Sequence, residues 1–524
     1  MHLLGLPLEV LDMIVHYGII SRGFPRALRL SLVCKPFYAS VGRTLFHTKV
    51  LDDREWRGAF SRWNVRKHHG ADKLWHDYLV FRSRDKGDDS VACYVEIRKV
   101  VDALVQHCQD DCQNDDAPDW DQVLDRLCWL PLECDSYRDC GWNVGRTEPA
   151  KLGLRILSAA TYLGYTSLVR DLLDQGYDPT ESDDLFPSPM YIAARTGQAD
   201  MLHVLQEHLP DFEEHNPNSY TYFWRSKIGP KSLHGAATRG DMDMVRLCLY
   251  PPSRIIPEGE AEDKEAETSI LGQKPGSIPF DSFLGRYIES AIRRARSAEV
   301  YEYLQSLVDE TNRDPMVIMK NEHLWTMAEA GDMAMVRYLL SIGADVSHKV
   351  SFSRTPLARA VRACNEDIVD LLLERGADPN GCGGFPGTAL TAAVKAGSMV
   401  MVRKLLDAGA NIHYPNADSY TLRHAVKLEH TAMVELLLDL GIRSEIGKAC
   451  ALWTANNMGL ESMADLLRST GASLAPWIHP LTALVSPRPS SSKQPEEKGK
   501  KLQQGAPTPQ LLADQKQLLY RLRY

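Results

Sequence analysis

The chain has 524 residues, 44% apolar and 25% charged, a balance that excludes low-complexity and collagen-like classes and sets a prior of about three domains. Sixty Lys and Arg against 69 Asp and Glu give a net charge of −9, which excludes the overall basic character of most nucleic-acid-binding proteins. Eleven Cys, an odd number spread over a long chain, point to reduced thiols and hence to an intracellular location, cytoplasmic or nuclear.

Residues 1–20 contain no Lys or Arg, and Glu9 and Asp12 interrupt their apolar residues, so no secretory signal is expected there. No stretch reaches the ~18 consecutive apolar residues of a membrane-spanning helix. Leu6, Val10, Ile14 and Tyr17 recur at helical spacing behind Pro7, a residue suited to a first helical turn. Residues 27–35 supply a second short helix with Leu28, Leu30, Leu32 and Val33. Phe37, Val41, Thr44 and Leu45 mark a third, opened by Pro36. Residues 1–50 are thus a small helical module, too short to be stable alone.

Residues 51–150 form a second, helical module. It holds six of the ten Trp (Trp56, Trp63, Trp75, Trp120, Trp129, Trp142), and large aromatics dominate core energetics. Tyr94, Ile97, Val101 and Leu104 predict an amphipathic helix, and 120–130 predicts another. The module is expected to pack against the segment that begins at about Lys151. Six Cys also lie here, and Cys108-x3-Cys112 has the spacing of one zinc knuckle. Cys128, Cys134 and Cys140 are too far apart for a second, so buried thiols are expected, with no metal or cofactor.

From 151 onward the sequence repeats itself. Gly343, Gly376 and Gly409 end similar segments 33 residues apart, and Thr355, Thr388 and Thr421 each come twelve residues later. Val336, Val369, Val402 and Val434 keep the register at spacings of 33, 33 and 32. In the clearest unit Thr355 caps a short helix begun by Pro356. Small residues come next (Ala358, Ala360, Ala363), and Ile368, Val369, Leu371 and Leu372 then give a second helix its apolar face. Gly376 ends that helix in the left-handed conformation glycine tolerates. Such a unit buries its faces only against its neighbours.

Thr355-Pro356-Leu357-Ala358-Arg359-Ala360 and Ser232-Leu233-His234-Gly235-Ala236-Ala237 resemble the T-P-L-H-x-A signature of the ankyrin repeat. Candidate repeats run over 151–180, 187–214, 231–255, 284–312, 321–350, 354–383, 387–415, 419–445 and 447–475. The resemblance implies an all-α chain, an ankyrin solenoid in two blocks, 151–255 and 281–475. An acidic flexible insert separates them at 256–280, with six acidic residues between Glu258 and Glu267. A disordered tail, 476–524, rich in Ser, Pro and Lys, ends the chain. The resemblance implies that partners lie along the hairpin tips and the inner helices, and the repeat register puts Phe352, Phe385 and Tyr414 in those loops as target anchors.

Leu6-Pro7-Leu8-Glu9-Val10-Leu11 with Ile14, followed by Val33-Cys34-Lys35-Pro36-Phe37, resembles an F-box. That resemblance implies docking on the small adaptor subunit of a cullin–RING ubiquitin ligase through Leu6, Pro7, Ile14, Val33 and Phe37. The chain would then be a substrate receptor, its repeats holding a target protein. The alternative is an ankyrin scaffold or regulator with no ubiquitin link. Neither reading involves nucleic acid or a membrane. No nucleophile elbow, zincin helix or phosphate-binding loop occurs, since the Gly-rich 381–387 lacks the Lys-Ser/Thr of a P-loop, so no enzymatic activity is expected.

Overall fold

The computed structural model describes residues 7–22, 34–52, 71–87, 91–111, 119–134, 151–183, 185–209, 231–250, 278–279, 283–308, 313–348, 355–381, 388–413, 417–442 and 445–474. All belong to one compact unit, Met1–Leu474. Among the described residues every regular element is a helix, and the one bridge between extended segments pairs Ile278 with Val308.

Six helices precede the repeats: α1 (Leu8–Arg22), α2 (Lys35–His47), α3 (Ala71–Arg84), α4 (Ala92–Asp111), α5 (Trp120–Leu127) and α6 (Leu130–Glu133). Pro7 opens α1, its carbonyl accepting from the amides of Val10 and Leu11. α1 lies against α2, with Leu11, Val15, Val41 and Leu45 buried. Arg43 donates to both carboxylate oxygens of Asp12 at 3.0 Å, and Ser40 also bonds that carboxylate. The Arg43 guanidinium holds Asp12 below the ordinary carboxylate range. This pairing corrects the expected packing of α1. Asp12 shares a side with Leu11 and Val15, so reaching Arg43 turns Ile14 and Tyr17 outward.

The expected amphipathic helix appears as α4, with Tyr94, Ile97, Val101 and Leu104 all buried. The Asp52 carboxylate sits between helices and accepts from Tyr78 Oη (2.9 Å), Tyr94 Oη (2.8 Å) and Arg82 Nε (3.0 Å). The Arg82 guanidinium also covers the Tyr94 ring, 4.9 Å from its centre. Trp75 is buried, Trp129 stacks on His76 at 4.3 Å, and Trp120 donates to Asp102 at 2.7 Å. The single helix expected over 120–130 is two. The break falls at Cys128–Trp129, and Pro131, which has no N–H to donate, stands in the first turn of α6.

Nine helix pairs come next among the described residues. The first five are α7/α8 (Leu152–Leu163, Thr166–Asp174), α9/α10 (Pro189–Thr196, Ala199–Glu207), α11/α12 (Ser232–Arg239, Met242–Leu249), α13/α14 (Phe283–Ile292, Ala298–Ser306) and α15/α16 (Arg313–Ala330, Met333–Ser341). The last four are α17/α18 (Pro356–Arg362, Glu366–Glu374), α19/α20 (Ala389–Ala396, Met399–Asp407), α21/α22 (Ala417–Lys427, Thr431–Asp439) and α23/α24 (Glu445–Asn457, Glu461–Ser469). First helices contact first helices from α7 to α13 and from α15 to α23, and second helices contact second helices at α8/α10, α12/α14 and α16/α18, which makes two layers. Val336, Val369, Val402 and Val434 occur once per pair and are fully buried. Small residues let first helices approach closely. A Cβ added to Gly235 in α11 would lie 2.7 Å from the Tyr191 carbonyl of α9.

Thr355 and Thr388 cap their helices, accepting from the amides of Ala358 (3.3 Å) and Thr391 (3.4 Å). Thr421 does not. It lies inside α21, hydrogen-bonded to Thr391 Oγ1 at 2.9 Å. The buried leucine comes two residues after Thr355 and Thr388 but one after Thr421, so Thr421 does not stand at the equivalent position of its helix. Gly376 has the expected left-handed conformation, φ +82°.

The helices before the repeats join the array through buried charge. Arg155 of α7 donates to Glu96 of α4 at 2.6 Å and also bonds Asp183, with all three side chains almost fully buried. The expected packing of residues after 51 on the first pair is therefore present, as contacts of α4 and α5 with α7.

Candidate interaction surfaces

The first surface is the outer side of α1. At 100° per residue, Val10, Met13, Ile14 and Tyr17 fall within one sector of the helix. Met13 is 52% exposed, Ile14 43% and Tyr17 66%. Large apolar residues grouped this way mark binding surfaces more often than isolated exposed ones do. Of the predicted adaptor contacts, Pro7 is exposed at the start of α1 and Ile14 is exposed in its middle. Phe37 is half-buried against the core, while Leu6 and Val33 lie outside the described residues.

The second surface is the first-helix layer near the end of the array. Arg362, Lys395 and Lys427 each come five residues after the buried leucines Leu357, Leu390 and Leu422, so they occupy equivalent positions on successive helices. Arg362 is tied to Glu329 at 2.6 Å. Arg359 shares that carboxylate at 2.7 Å and lies over the Trp325 ring. Lys395 lies on α19 and Arg423 and Lys427 on α21, two helices in contact. Burial, together with the neighbouring Arg423 and Lys395, brings the Lys427 ammonium down to about 8. Burial, then Lys395, Lys427 and Arg423, brings His424 down to about 3.

The adjacent helix α23 adds apolar surface. Ile446 is 61% exposed and Trp453, two turns later on the same side, is 37% exposed. Sequence reading did not single these two out, although the signal existed: Trp453 follows Leu452 as Arg423 follows Leu422. Phe352, Phe385 and Tyr414, the expected anchors, lie outside the described residues.

Cys93, Cys108, Cys128 and Cys134 are buried and in no disulfide, while Cys112 and Cys140 lie outside the described residues. Burial pushes the Cys134 thiol up to about 12. Among the described residues no group of three or more His, Cys, Asp or Glu is placed to hold a metal ion, and no helix is long and apolar enough to cross a membrane.

A family model described as ankyrin repeats, in three copies, matches residues 291–381, and a single ankyrin repeat matches 387–417. No curated protein matches the chain. The helix pairs on both sides of these residues have the same two-layer construction. Ankyrin repeats on an all-helical solenoid mark the chain as a protein–protein interaction protein.

Proposed function

We propose that this protein is the substrate receptor of a cullin–RING ubiquitin ligase of the F-box type. The helices of residues 1–50 hold the ligase adaptor, and the ankyrin repeats hold the target. The observation that carries this reading is the outer side of α1. A short helix pair, locked together by Asp12, Ser40 and Arg43, keeps Met13, Ile14 and Tyr17 exposed at the opposite end of the sequence from the matched repeats. The Leu-Pro start and the segment 33–37 are the parts of the motif that an adaptor would read.

The test is co-purification of the full chain with the small adaptor subunit. Wild type is expected to retain the adaptor. Ile14→Asp/Tyr17→Asp, two substitutions at exposed positions, is expected to lose it while proteins bound to the repeats stay. A wild-type chain that never retains the adaptor, under conditions where an F-box protein does, leaves an ankyrin scaffold with no ubiquitin link.

A further inference from the structure

Three successive turns between first and second helices, those of α9/α10, α11/α12 and α13/α14, touch one another and carry arginine. Arg239 donates to the Thr196 carbonyl at 3.1 Å, and a Cβ added to Gly197 would collide with its guanidinium, so Arg239 covers the end of α9. A Cβ on Gly235 of α11 would lie 3.0 Å from the Arg195 amide nitrogen. On the other side, the Arg296 amide donates to the Ala237 carbonyl of α11 at 3.2 Å. A Cβ on Gly240 would lie 3.3 Å from Ser297 and 3.6 Å from the Arg296 carbonyl carbon. Arg195 and Arg296 therefore flank one end of α11, with Arg239 between them and Arg294 two residues before Arg296.

Their partners set these arginines apart. Arg293 is held by Glu289 and Glu322, and Arg239 shares Asp241 at 3.2 Å. Arg294 bonds the neutral Ser290 hydroxyl at 3.2 Å. Among the described residues the Arg195 and Arg296 guanidiniums have no hydrogen-bond or ion-pair partner. Arg294 and Arg296 are exposed, and Arg195 is half-buried. Asp332, which attracts Arg296, already accepts from the Met335 amide at 3.0 Å as the cap of α16. Tyr191 Oη, 3.5 Å from the Cys134 carbonyl, lies where these cations meet. Burial and Cys134 push its phenol up, while Arg195, Arg294 and Arg296 all pull it down.

We propose that Arg195, Arg294 and Arg296, with Arg239 beside them, bind a phosphorylated side chain on a peptide segment of a target protein. The proposal rests on the repeats being a protein-binding surface and is independent of the ligase link. Cations that surround one point suit a single multiply charged group better than a row of carboxylates. A phosphorylated side chain carries nearly two negative charges and three acceptor oxygens. The planar guanidinium fork matches those oxygens two at a time, and the turns supply arginine and no lysine.

The experiment uses the full chain and fluorescence anisotropy. The probe is a labelled twelve-residue Gly-Ala peptide with one central phosphoserine, and the same peptide with serine or glutamate there is the control. The phosphopeptide is expected to bind at least tenfold more tightly than the serine peptide, to weaken as salt is raised and to be displaced by inorganic phosphate. Arg195→Gln/Arg296→Gln is expected to lose at least tenfold with an unchanged thermal melt. Should that variant fail to fold, Arg294→Gln and Arg296→Gln, both at exposed positions, carry the test singly.

Equal binding of the phosphoserine and serine peptides overturns the proposal, as does unaltered binding by folded variants. A glutamate peptide that binds as tightly as the phosphopeptide assigns the site to carboxylates and overturns it. Tighter binding of a single-stranded oligonucleotide, lost with the same substitutions, assigns the surface to nucleic acid and overturns it as well. If the phosphopeptide fails while the chain still retains bound proteins from a lysate, this site alone falls. If the chain retains none, the interaction reading falls with it.

Discussion

The helices before residue 135 and the helix pairs after 151 are both all-α, yet they are held together differently. In the first region the decisive contacts are single polar pairs that occur once. Asp12 meets Arg43, Asp52 meets Arg82 and Tyr94, and Glu96 meets Arg155, 59 residues away. In the repeats the contacts recur, with Val336, Val369, Val402 and Val434 buried at equivalent places in successive second helices and Leu357, Leu390 and Leu422 in successive first helices. A recurring contact can be recognised from its period. A single pair between distant residues has no period, so nothing in the sequence announces which partner a charge will choose.

The largest test of this contrast is Arg155→Met. It keeps most of the side-chain volume but leaves Asp183 buried without its cation and Glu96 with Lys99 alone, 2.9 Å away. Breaking a buried pair this way costs about 3–5 kcal/mol. Thermal melts should record the loss, and hydrogen exchange should confine it to α4, α5 and the first two pairs. Spread to the last pairs would show that the regions are one cooperative unit and would break the comparison.

The second test concerns binding. Leu6→Ala/Pro7→Ala removes apolar contact together with the start of α1, and adaptor affinity should fall by more than about 2 kcal/mol. Target capture by the repeats should be unchanged, because distant and independent sites add. Loss of both partners would mean that α1 serves as a support for the array.

The third test stays within the repeats. A Cβ added at Gly376 meets nothing within 4 Å, so its left-handed backbone is the only obstacle to substitution. Gly376→Val should destabilise the full chain by about 1–3 kcal/mol, read from its melting temperature. An unchanged melt would show that the repeat register does not govern stability there.

The smallest effect is the pH dependence of the first helices. Burial lowers His234 and His424 to about 3 and His323 to about 4. His234 stacks on Tyr287 at 4.4 Å, and His323 Nε2 donates to the Ala295 carbonyl at 2.9 Å. Unfolded histidine takes up its proton near 6.5, so the unfolded chain binds more protons between that value and the folded one. Stability is therefore full above about pH 6.5 and falls on acidification. At pH 5.5 each histidine costs at most about 1.4 kcal/mol. Replacing His424 by Gln should flatten the slope of melting temperature against pH over this range, and an unaltered slope would assign the acid sensitivity elsewhere.

The amino-acid sequence by itself determined the helical class, the 33-residue unit, the caps at Thr355 and Thr388, the turn at Gly376 and the apolar face of α4, because each depends on local geometry repeated at a fixed spacing. It missed the break at Cys128–Trp129 that divides α5 from α6. Tertiary structure decided the rest. The pairing of Asp12 with Arg43 selects which side of α1 is hidden and so leaves Ile14 and Tyr17 in solvent. The stacking of α19, α21 and α23 places Lys395, Arg423, Lys427 and Trp453, which are far apart in the chain, on three successive contacting helices. Residues on separate repeats become neighbours only when the stacked layers bring their helices into contact.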